Sequence, residues 1–199
     1  MHDTMETKNL LASSLIRLTS HKSFDKITIA DITAASGFNR QTFYYHFRDK
    51  YELLSWIYQR DATQIFKKDI TLQNWHDYIR VLLQFIYQNK TFYINTIRCD
   101  DQYFHNFIFK LTSNLFYKAI DSLDKKQQLD HADKMFYSEF FSFGVSGVMI
   151  NWIIKDMKED PIKVANALKN LAKDSEKLAY EKYQNTYHSR KGNEHETTS

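Results

Sequence analysis

Gly37 stands between two helix-length patterns in TIADITAASGFNRQTFYYHFRDK, residues 28–50, and leaves the chain few ways to fold there. Thr28 followed by Asp31 is a capping-box-like start, with a hydroxyl able to accept from an orphan amide and a carboxylate in the positive first turn. Ile29, Ile32 and Ala35 then recur at helical spacing and give a first helix one buried stripe. Gly37 ends that helix by supplying the positive φ that a sharp turn requires. Phe38 plugs the turn and Asn39 caps a second helix, from about Arg40 to Phe47, that buries Phe43 and Phe47. Its other positions, Arg40, Gln41, Thr42, Tyr44, Tyr45 and His46, make a face rich in donors and hydroxyls, suited to base edges and phosphates. The pattern predicts a helix-turn-helix whose second helix is the reader.

The same residues resemble the DNA-binding domain of the TetR family of bacterial transcription regulators. Ile29, Ile32, Ala34, Ala35, Gly37, Phe38, Thr42, Phe43, Tyr44, Phe47 and Lys50 fill that family's slots, and the match is specific over roughly residues 8–60. The resemblance implies that Arg40, Gln41, Tyr44 and Tyr45 lie where family members meet bases or nearby backbone. It places Thr42, His46 and Lys50 at phosphates, and Thr28 joins this DNA-facing set. Lys50, at the start of the following helix, could set an ammonium and free amides beside one phosphate.

The rest of the chain is punctuated by only one proline and by glycines that total four, too few for the turns of a sandwich or barrel. An all-α fold is expected, with an N-terminal three-helix head over residues 1–50 and a helical ligand-binding and dimerisation body over 51–187. Residues 188–199 lack any large apolar group and read as a disordered tail. The net charge of +3 discriminates little; locally, Arg40, Arg48 and Lys50 cluster with only Asp49 among them. The single cysteine excludes an intrachain disulfide and fits a reducing cytoplasm. A polar N-terminus and the lack of an eighteen-residue apolar run predict a cytoplasmic chain without a signal peptide or membrane span.

Taken in order, residues 1–6 read as a loose arm. A helix from about Thr7 to His21 carries Leu11, Leu15 and Leu18, and a fourth helix begins near Lys50 behind the capping pair Asp49 and Glu52. Further helices are expected over 73–89, 91–98, 102–121, 132–157 and 161–187, the last opened by Pro161, with a polar linker at 121–131. Gly144 and Gly147 lie inside a helix, where each costs about 1 kcal/mol against alanine. With Ser142, Ser146 and Trp152 they suggest a surface that another helix approaches closely. By resemblance the last two helices pair with their copies across a two-fold axis, and the segment is similar to the DhaS-type branch of the family. A homodimer presenting two heads calls for double-stranded DNA with an inverted-repeat operator.

The aromatics of the body could line a pocket for an unknown small-molecule effector, with Arg98, Tyr103, His105, Phe107, Asn114 and Phe140 as candidates for contacting it. Each reads more readily as core, as surface or as a satisfied buried group. Cys99, Asp100, Asp101 and His105 hold metal-ligand types within seven positions, without a spacing that makes a site. No metal or other cofactor is expected. An enzyme is the rival class, but no His-Glu-x-x-His, Gly-x-Ser-x-Gly or Gly-rich phosphate loop is present. A third reading is a DNA-bound activator whose body takes a protein co-regulator. The reading favoured is a ligand-responsive repressor.

Overall fold

The computed structural model describes residues 4–65, 74–124 and 129–171, and among them every regular element is helical. Helix α1 (Thr4–Leu18) leads to a 3-10 turn (Phe24–Lys26), then α2 (Ile29–Ser36) and α3 (Arg40–His46). Helix α4 (Lys50–Ile65) leaves the head, and α5 (Trp75–Gln88), α6 (Lys90–Cys99), α7 (Gln102–Leu123) and α8 (His131–Ile154) build the body. A further helix, α9, covers 161–171. The expected continuation of α9 to 187, the tail 188–199 and residues 125–128 of the polar linker lie outside the described residues. The expected linker is shorter than 121–131, since α7 runs on to Leu123 and α8 begins at His131.

The supposed N-terminal arm is corrected in part, since α1 starts at Thr4, with Glu6 favourably placed in the first turn and Thr7 buried. It stops at Leu18, short of His21. There Thr19 and Ser20 donate their hydroxyls to the carbonyls of Ile16 and Arg17, at 2.6 and 2.7 Å, and so satisfy the helix end locally.

The head closes around Leu11, Leu15, Phe24, Ile27, Ile32, Phe43 and Phe47, all at most 3% exposed. Burying each such side chain stabilises by about 1.5–3 kcal/mol. Leu53 and Leu54 of α4 join this cluster, and Ile57 and Tyr58 continue it to Phe92, Tyr93 and Phe104, so head and body share one core through α4.

Polar side chains between α4 and α6 are paired inside that core. The Tyr58 hydroxyl donates to Thr96 Oγ1 at 2.8 Å, and the Tyr93 hydroxyl to Asp61 Oδ2 at 3.1 Å. Burial pushes both phenols well above their ordinary value, so they stay neutral donors. Arg60 closes the set on Asp61 Oδ1 at 2.8 Å.

Helix α8 lies along α7, with Lys134 tying its first turn to Asp121 at 2.8 Å and Asp124 at 3.2 Å. It ends before the expected residue 157 because a Schellman turn forms there. Met157 N–H reaches Trp152 O at 2.9 Å and Asp156 N–H reaches Ile153 O at 3.1 Å. Asp156 and Met157 take φ of 65° and 52°, positions where glycine is the easier residue.

Candidate nucleic-acid interface

Local chemistry fixes the turn. Thr28 Oγ1 accepts from Asp31 N–H at 3.2 Å, while Asp31 Oδ2 accepts from the Thr28 amide and hydroxyl, both at 2.8 Å. Lys22 Nζ adds a contact to Asp31 at 2.6 Å, and together these donors hold the carboxyl well below the usual carboxylate range. Gly37 adopts φ 76°, with open space where a Cβ would sit, so the need for glycine is conformational. Asn39 Oδ1 then accepts from the Thr42 amide at 2.8 Å and hydroxyl at 3.0 Å, capping α3.

The reader helix presents what its spacing predicts. Phe43 is buried, whereas Tyr44 and Tyr45 are 56% and 79% exposed. Arg40 and Gln41 are exposed as well, and Arg40 forms no hydrogen bond or ion pair among the described residues. His46 packs edge-on to Tyr45, and burial, with Lys8 nearby, lowers its pKa. At neutral pH its imidazole is therefore an uncharged donor. The hydroxyls of Thr28 and Thr42 are both engaged within their caps, so either would have to turn to meet a phosphate.

Lys50 is placed differently from its expected role. Its ammonium points inward and donates to the carbonyls of Phe24, Asp25 and Ile27 at 2.8, 2.9 and 2.9 Å, over the rings of Phe24 and Tyr51. An ammonium has three protons, and all are used. Burial draws its pKa down, with the Asp25 carboxylate acting in the opposite sense. Lys50 is thus an internal tie rather than a side-chain donor to phosphate. The helix behind it is capped by Asp49 Oδ1, which accepts from Tyr51 and Glu52 amides at 2.9 and 2.8 Å.

The six residues expected at an effector pocket do not converge. Arg98 donates to Ile154 O at 2.8 Å and pairs with Asp156 at 2.9 Å, holding the end of α8. Tyr103 stacks on Tyr51 with centroids 5.0 Å apart, Phe107 packs on Tyr58 and Phe104, and His105 stacks on Phe109. Asn114 and Phe140 are exposed, so neither lines an interior site. Nor do Cys99, Asp100, Asp101 and His105 gather: among the described residues no group of three or more His, Cys, Asp or Glu could hold a metal ion.

The small-residue surface divides in two. Ser142 and Ser146 are buried on the side of α8 that faces the chain's own core, as is Trp152, whose Nε1 donates to Glu159 O at 2.9 Å. Gly144 and Gly147 are exposed, each with open space where a Cβ would be. They lie on the outward face beside Phe136, Phe140, Phe143 and Val148. Sequence reasoning missed Phe136 and Phe143; an aromatic stripe at 136, 140 and 143, opposite the buried one, was the available signal.

A rigid three-helix head, an exposed helix with unengaged donors and an all-helical body define a helix-turn-helix transcriptional regulator. A model described as bacterial regulatory proteins, tetR family, matches residues 13–56, and one described as transcriptional regulator C-terminal region matches residues 73–174. The chain belongs to the TetR family of transcriptional regulators, not to an enzyme family. It is 26% identical over 157 residues to the dhaKLM operon transcriptional activator DhaS of Lactococcus lactis subsp. lactis (strain IL1403), covering 78% of this chain and 83% of that relative. A solved structure of the dihydroxyacetone kinase operon activator DhaS aligns with a TM-score of 0.67 at 24% identity, over 87% of this chain and 98% of that one. A TetR-family regulator from Syntrophomonas wolfei str. Goettingen aligns at 0.64 with 20% identity, over 85% and 96%. No helix among the described residues is long and apolar enough to cross a membrane.

Proposed function

We propose that this chain works in the cytoplasm as a homodimer that binds an inverted-repeat operator and represses transcription until an effector releases it. A head ending near residue 50 reads DNA, and a body over 51–187 dimerises and senses. The observation that carries the reading is α3, where Arg40, Gln41, Tyr44 and Tyr45 are presented together on a helix capped at Asn39. Arg40 is the base reader, able to donate twice to guanine, and the two tyrosines and Gln41 contact bases or nearby backbone. The outward face of α8, apolar and opened by Gly144 and Gly147, supports pairing with a second copy. Two-fold pairing brings both reader helices to one side of the duplex, about one helical turn apart. An effector that favours one head separation over another by a few kcal/mol would switch the operator.

Selection of bound duplexes from a random pool, at a stated salt concentration, tests this. Enrichment of an inverted repeat is expected; enrichment of single half-sites alone would overturn the dimeric reading.

The similarity to a relative named as an activator favours a second reading, in which the operator-bound dimer recruits a protein co-regulator and activates. Transcription from the selected operator with purified polymerase separates the two, falling with repressor and rising, on addition of the co-regulator, with activator.

A further inference from the structure

Helix α6 holds the backbone of the connector between α1 and α2 through one side chain. Asn95, on α6, donates through Nδ2 to Thr19 O at 2.7 Å and to Lys22 O at 2.9 Å, and accepts through Oδ1 from Phe24 N–H at 2.8 Å. Two carbonyls and one amide admit only this orientation of the side chain, because a flipped amide would set oxygen against oxygen. One half-buried residue thus grips the connector at three points between Thr19 and Phe24.

Three residues further along the same helix, on the adjoining surface, Arg98 grips the end of α8 through Ile154 O and Asp156. Asp156 sits in the Schellman turn whose strained backbone is pinned by Trp152 bonding to Glu159. The connections run from the head through Asn95, along α6 and through Arg98 to α8, the helix with the outward apolar face. Lys50 does not serve the same end, since it joins the connector to the first residue of α4, within the head itself. Beyond Asn95, the head rests on the core it shares with α4, on the Tyr51–Tyr103 stack and on Cys99, whose Sγ lies 3.4 Å from Ser23 Oγ and 3.8 Å from Asp25 Oδ1. These are non-directional packing or long side-chain contacts, whereas Asn95 makes three short bonds to backbone.

We infer that Asn95 is a positioning residue for operator recognition: it fixes the angle of the head on the body, and so sets the half-site spacing that the dimer accepts. The inference rests on the dimeric reading proposed above. One added base pair moves a half-site by about 3.4 Å and turns it by about a tenth of a turn, so a clamped pair of heads tolerates little change. A loosened pair follows the DNA. The role differs from base reading, because Asn95 lies away from α3 and touches only backbone of the connector.

The test uses the full-length protein and two kinds of duplex, one carrying a single half-site and a series of inverted repeats whose central spacer varies one base pair at a time. For the wild type, affinity is expected to fall by about tenfold within two base pairs of the best spacer, through the cost of deforming DNA to fit. Asn95→Ala should keep half-site affinity and its salt dependence, yet compress the spread across spacers to about threefold or less. Asn95→Asp should behave alike, since a carboxylate can accept from Phe24 but is set against two carbonyls. An unchanged spacer profile in these variants would overturn the inference. So would an equal loss on half-site and full operator, which would make Asn95 only a support of the head's fold. A wild-type protein indifferent to spacing would overturn the dimeric reading and this inference with it. If Asn95→Ala does not fold, Asn95→Ser in a Cys99→Ser, Ser13→Cys background allows spin labels at one exposed position of each α1 to report head separation. A broadened distance distribution relative to the matched parent is expected, and an unchanged width would overturn the inference.

Discussion

Lys50 Nζ lies 2.8 Å from the carbonyl oxygen of Phe24, a residue twenty-six positions earlier, and this bond turns a cation with an expected place at DNA into part of the head's interior. Phe24 and Tyr51 supply ring faces to the same ammonium, with centroids 4.7 and 5.4 Å away. Replacing Lys50 by Met would leave three carbonyls to find other partners, at a cost of about 1–3 kcal/mol. Thermal unfolding should therefore shift down by several degrees. The slope of log affinity against log salt should stay where it was, whereas a lost phosphate contact would reduce it by about one.

Arg40→Ala should leave the unfolding temperature unchanged, because the side chain is exposed and bonded to nothing within the described head. Its effect is expected on DNA alone. Competition between the selected operator and single-base variants should show a loss of about 1–3 kcal/mol, concentrated at one base pair of each half-site.

Acid should loosen the head through Asp31. Its carboxyl is held well below the ordinary value of 3.8 by Lys22 and by the Thr28 amide and hydroxyl. A carboxyl depressed in the folded state favours folding fully above its unfolded value and loses that contribution as the pH falls below it. Stability measured by denaturant unfolding should thus drop below about pH 4, and Asp31→Asn should be less stable at neutral pH with a shallower acid limb.

The two faces of α8 should respond oppositely to substitution. Phe140→Glu, on a side chain 65% exposed, is expected to leave helical content intact while sedimentation reports single chains and affinity for the full operator falls. Ser142→Phe, at a fully buried position, should instead overpack the interior, at a cost of about 1–3 kcal/mol or more. Denaturant unfolding reads that loss directly.

The turn of the reading head was legible in the sequence because its determinants are local. Thr28, Asp31, Gly37 and Asn39 act on backbone within a few residues of themselves, and the bonds expected of them are present. Lys50 was not legible in that way. A lysine at a helix start reads as a phosphate donor until the positions of Phe24, Asp25 and Ile27 are known, and those depend on how α1 and α4 pack. The same limit applied to α8. With apolar side chains on both of its sides, periodicity marks two stripes but does not say which meets α7. Ser142 and Ser146 looked suited to an outer contact, yet their hydroxyls bond the carbonyls of Ser138 and Ser142 at 2.7 and 2.8 Å, which lets them be buried. Asn95 gave no signal at all, being one polar residue in a mixed helix whose partners lie more than seventy positions away.

The aromatic face of α8 also bears on how such a regulator responds to its own abundance. A single folded copy leaves Phe136, Phe140 and Phe143 in water, and the proposed pairing with a second copy would remove that apolar surface from solvent. Where most copies are unpaired, the number of pairs rises with the square of the number of chains. Halving synthesis of the chain would then leave about a quarter of the pairs, so the proposed operator would empty more abruptly than the protein disappears.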